Sequence, residues 1–67
     1  MSASSTDRDV IFEFRRIGAY VKVSAVDAAT GLEISIVGAA GSSDAILKRT
    51  AYNKLLYVLR KQGRISS

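Results

Sequence analysis

The 67-residue chain contains no cysteine, histidine, tryptophan or proline, and a single methionine. Each absence removes a class of chemistry. Without cysteine there is no disulfide framework of the kind that staples small secreted domains. Without cysteine and histidine a structural zinc site has no ligands, and neither Ser–His nor Cys–His nucleophile systems can form. The side chain most used for proton transfer near neutral pH is missing as well. The acids Asp7, Asp9, Glu13, Asp27, Glu33 and Asp44 are scattered without the spacing of a calcium loop. No apolar run approaches the ~20 residues of a membrane helix. Met1 to Asp9 hold no apolar stretch of signal-peptide type, so a cytoplasmic location and no membrane partner are expected. This inventory predicts a protein that is not an enzyme, with no catalytic residues, no cofactor and no metal.

What is present suits one small folded domain. Hydrophobic residues make up 48% of the chain and the net charge is only +4, too apolar and too weakly charged for disorder. Met1 to Arg8 are polar and patternless and read as a disordered tail, residues 9–63 as the domain, and residues 64–67 as a second tail. Val10, Phe12 and Phe14 share one parity and Ile11, Glu13, Arg15 and Ile17 the other, a period of two that marks a strand. Gly18-Ala19 interrupts the alternation as a type II′ hairpin turn would, and the β-branched run Tyr20–Val26 resumes it. Asp27 can hydrogen-bond forward into the next turn, while Gly31 supplies the positive φ that closes it. Leu32–Val37 is the third strand, and Gly38–Ser43 the loop that follows.

The two turns fix the register independently. The first pairs Ile17 with Tyr20, Phe14 with Val23 and Phe12 with Ala25; the second pairs Ala25 with Ile34 and Val23 with Ile36. Both place Phe12, Phe14, Val21, Val23, Ala25, Ile34 and Ile36 on one face, where a one-residue slip would invert every side chain. Ser42 or Ser43 can cap a helix that runs unbroken from Asp44 to Gln62, with Gly63 as a left-handed stop. Leu47, Ala51, Leu55, Val58 and Leu59 form its apolar stripe, flanked by Tyr52 and Leu56. The predicted fold is α+β: a three-stranded antiparallel β-meander packed against one C-terminal α-helix.

Two surfaces remain as candidate binding sites. The sheet face opposite the helix carries Ile11, Ile17, Tyr20, Val26 and Val37 among Glu13, Arg15, Lys22, Ser24, Glu33 and Ser35. It reads either as an ordinary solvated face or as a self-association surface for a homodimer, the latter favoured by a thin core. The second surface is basic. Residues 45–67 hold six cations and no acid, whereas all six acids fall in residues 1–44. Such cations complement a helix C-terminus and make a soluble face. They also form a candidate polyanion contact through Arg49, Lys54, Arg60 and Lys61. Nucleic-acid binding there is expected to be weak and non-specific, because Tyr57 alone is no stacking platform. The leading expectation is a small binding or interaction module whose partner is another protein or itself; the alternative is a weak RNA binder.

Two resemblances accompany this reading. Ser43, Leu47, Lys48 and Ala51 follow part of the pattern that opens the last helix of double-stranded RNA-binding domains, so Asp44 to Leu59 resembles the C-terminal half of that fold. Asp44 and Ala45 stand where that family has its two central lysines, and an acid there repels phosphate. Phe12-Glu13-Phe14, Gly18-x-Tyr20 to Asp27, Thr30-Gly31-x-Glu33 and Lys54-Leu55-x-Tyr57-Val58-Leu59 resemble a family of short bacterial proteins, a domain of unknown function. That resemblance covers most of the chain and implies no catalytic residues.

Overall fold

A computed structural model describes residues 9–65. The segments 1–8 and 66–67, read above as parts of tails, lie outside the described residues. Three strands, β1 (Val10–Ile17), β2 (Tyr20–Asp27) and β3 (Glu33–Ala39), precede one helix, α1 (Asp44–Lys61). They form a single antiparallel sheet in the order β1-β2-β3, so the fold is the expected α+β meander with its C-terminal helix. The register agrees with the turn arithmetic at each pair it named: Phe12 faces Ala25, Phe14 faces Val23, Val23 faces Ile36 and Ala25 faces Ile34.

The turns have the local chemistry their residues imply. Gly18 has φ +60° and no described non-glycine residue has a positive φ, the pattern of a type II′ turn. In the second hairpin Asp27 is fully buried, and its carboxylate accepts from the Thr30 hydroxyl at 2.7 Å and from the Thr30 N–H at 3.1 Å. Gly31 then closes the loop at φ +78° with its N–H donating 2.7 Å to the Asp27 carbonyl. A carboxylate that accepts from the N–H and hydroxyl of the residue three positions on stabilises such a loop by replacing hydrogen bonds the bend removes.

The third strand begins at Glu33 and runs to Ala39, beyond the expected stop at Val37. The ladder itself explains the extension, since the Ala40 N–H still donates 2.9 Å to the Ala19 carbonyl. Gly38 therefore sits inside a strand, and the reason is close approach: a Cβ there would collide with the Leu47 side chain of α1.

The helix starts at Ser43, whose hydroxyl accepts from the Ile46 N–H at 3.2 Å, and Asp44 occupies the positive end of its dipole. It ends in a Schellman turn: Gly63 at φ +73° donates to the Arg60 carbonyl at 3.0 Å and Arg64 to the Leu59 carbonyl at 2.9 Å. That turn folds the chain back, and Ile65 packs against the core. The packed region thus runs to Ile65, past the boundary expected at residue 63. Leu47, Ala51, Leu55 and Leu59, spaced by one turn, meet Val23 and Ala25 in the buried core. Val58, Tyr52 and Leu56 are half-buried flanks of the same stripe.

One core expectation needs correction. Phe14 lies on the helix-facing side of the sheet, as its parity requires, yet it is 38% exposed. The helix packs along β2 and β3, so among the described residues it leaves the outer half of β1 largely uncovered. No residue of β1 is buried, whereas β2 buries Val23, Ser24, Ala25 and Asp27.

Candidate functional site

The two sheet edges can be read from hydrogen-bond parity. The Ala28 N–H donates 2.9 Å to the Asp9 carbonyl, so along β1 the odd residues bond to β2. Val10, Phe12, Phe14 and Arg16 therefore turn their backbone N–H and C=O groups outward, away from the sheet. Along β3 the parity is reversed: the Asp27 N–H donates 2.8 Å to the Leu32 carbonyl, so even residues face β2 and Glu33, Ser35 and Val37 face out.

The helix reaches only one of these edges. Lys54 donates its Nζ to the outward carbonyl of Ser35 at 3.1 Å, laying a charged arm across β3. A lysine over an edge discourages further strand pairing there. On the other side Lys48 sits with Nζ 5.0 Å from the centroid of the Phe12 ring, above the sheet and not across its rim. Arg16 donates its Nε to the Gly18 carbonyl at 2.7 Å and so stays at its own turn.

The helix-free face holds all five residues of the expected self-association surface, but in two groups. Cross-strand pairing sets Ile11 beside Val26 at one end, and Ile17 beside Tyr20 with Val37 on the adjacent diagonal at the other. Glu13, Ser24 and Ser35 form a polar row between them. Ile11, Ile17, Tyr20 and Val37 are 54–66% exposed, and Val26 is half-buried. Three of the five side chains in these groups belong to β1 or to the β2 residue at its turn.

The cations of the candidate polyanion contact do not converge. Lys54 is engaged at the β3 edge, and Lys61 leans its Nζ toward the Tyr57 ring at 5.9 Å from the centroid. Arg49 and Arg60 share the outer arc of the helix but lie about 16 Å apart along it at ~1.5 Å per residue. All four are exposed. No described helix is long and apolar enough to cross a membrane, and no three acids among the described residues come together as a metal would require. Of the acids, Asp9, Glu13, Glu33 and Asp44 are exposed and Asp27 is spent on its turn; Asp7 lies outside the described residues.

Parity in the sequence sets Phe12 and Phe14 on the helix side of β1 and Ile11, Glu13, Arg15 and Ile17 on the other, as the pairing has them, but does not mark the strand as a site. The available signal was parity combined with helix placement, and the second is set only by packing.

No curated protein and no solved structure matches the chain. A family model does, over residues 7–62, which takes in all three strands and the whole helix. The chain belongs to that family, described as Domain of unknown function (DUF6898).

Proposed function

We propose that this chain is a small non-enzymatic interaction module and that it associates with itself. The observation that carries this reading is β1, an eight-residue strand with no buried residue and with apolar side chains on both faces. Ile11 and Ile17 stand on the helix-free face at 62% and 54% exposure, and Phe14 on the helix side at 38%. A chain of this size buries only ~60% of the surface its unfolded form exposes, so a second partner adds burial that the core lacks. Exposed apolar groups beside an unpaired strand edge are also where soluble proteins meet partners.

Sedimentation equilibrium from micromolar to millimolar concentration tests the reading. A dimer populated at tens of micromolar is expected, with the chain's circular dichroism unchanged. A strictly monomeric profile at millimolar concentration contradicts it.

A further inference from the structure

We infer that the second copy docks on β1 itself, strand to strand and antiparallel, about a two-fold axis at Phe14. The inference rests on the self-association reading and commits it to one edge and one register. The result is a continuous six-stranded sheet.

Backbone parity narrows the choice of axis. Only Val10, Phe12, Phe14 and Arg16 offer outward N–H and C=O groups, so a symmetric pairing must set these even residues opposite one another. The axes that satisfy this and overlap at least five residues of the strand lie at Phe12, Glu13, Phe14 and Arg15. An axis at Glu13 places two carboxylates face to face, and an axis at Arg15 two guanidinium groups. Like charges directly opposite are unfavourable. An axis at Phe12 sets Ile11 against Glu13 of the second copy and leaves Ile17 without a counterpart.

The axis at Phe14 matches Ile11 through Ile17 position by position, with Val10 left opposite the turn at Gly18. Glu13 faces Arg15 of the second copy, and the symmetry repeats the pair, giving two ion pairs at sites where the strands approach most closely. Ile11 faces Ile17 on the same side of the sheet, again twice, covering two apolar residues that are each more than half exposed. On the helix side the two Phe14 rings meet at the axis, which supplies the cover that α1 does not give. The backbone groups of Phe12, Phe14 and Arg16 pair with those of Arg16, Phe14 and Phe12. The opposite edge is less suited to the same use, because Lys54 crosses it at Ser35. So short an interface falls at the small end of the specific size range, in keeping with a dissociation constant of tens of micromolar.

Sedimentation equilibrium on four variants tests edge and register together. Glu13→Arg and Arg15→Glu should each weaken the dimer about tenfold, because each turns two attractive pairs into two repulsive ones. The double variant exchanges the charges and should recover the wild-type constant to within about threefold. Both residues are exposed, so the monomer fold is not at stake. Phe14→Lys, which opposes two ammonium groups at the axis, should abolish the dimer. Val37→Lys, on β3 at the opposite edge of the helix-free face, should leave it unchanged. A dimer weakened by Val37→Lys but not by Phe14→Lys overturns the edge proposal while self-association stands. A dimer that responds to the single charge variants without recovery in the double overturns the register. A wild type that is monomeric at millimolar concentration overturns both this inference and the reading beneath it.

Discussion

Strands β1 and β3 are the two edges of one three-stranded sheet, and the helix reaches only one of them. Along β3, Gly38 admits Leu47 at close range and Lys54 binds the outward carbonyl of Ser35. Along β1, Lys48 lies over the Phe12 ring, and no side chain among the described residues hydrogen-bonds the outward backbone of Val10, Phe12 or Phe14. The asymmetry follows from where the small residues lie. A helix settles where side chains let it approach, and β3 offers Gly38 where β1 offers two phenylalanines and an arginine. The same packing that makes a core therefore leaves one edge open.

Loosening the helix should disturb both edges at once and has the largest expected effect. Leu55 is fully buried beneath α1 against the sheet, so Leu55→Ala should cost ~2–5 kcal/mol and unfold much of the population. A thermal melt that does not move would mean the helix is held by other contacts. Gly38→Ala tests the approach on the β3 side. The added methyl group meets Leu47, which is 5% exposed with little room to move, and a loss of ~1–3 kcal/mol in urea unfolding is expected. Phe14→Ala probes the open side, where partial exposure limits the cost to ~1–2 kcal/mol in the dilute monomer. If Phe14→Ala proved as damaging as Leu55→Ala, the helix would be covering β1 after all. Lys54→Met removes the arm across Ser35 at less than ~1 kcal/mol, since the bond is exposed. Its more telling effect would be self-association that proceeds beyond the dimer, seen as a rising sedimentation coefficient, because the second edge is then unblocked.

Much of this was legible in the residues. Period-two alternation located the strands, and Gly18-Ala19 and Asp27–Gly31 set both registers correctly because a turn of fixed length leaves no freedom in pairing. The Leu47–Leu59 stripe and the Ser43 cap located the helix for the same local reasons. Parity assigned Phe14 to the helix side, and that was correct. Its exposure was not legible, because the lateral position of a helix over a sheet depends on contacts distant in sequence, here Gly38 with Leu47 and Lys54 with Ser35. The same holds for the basic residues. Their number is plain in the sequence, but only the fold shows that Lys48 and Lys54 lie against the sheet while Arg49 and Arg60 stand apart on the helix.

Amide hydrogen exchange reads both edges in one experiment, the open backbone of β1 and the backbone of β3 crossed by Lys54. In dilute solution the outward amides of Phe12, Phe14 and Arg16 and those of Glu33, Ser35 and Val37 should all exchange quickly. Raising the protein to millimolar concentration should slow exchange at Phe12, Phe14 and Arg16 and leave Glu33, Ser35 and Val37 as they were. Protection that grows at the β3 amides, or at neither set while a dimer forms, would contradict the account.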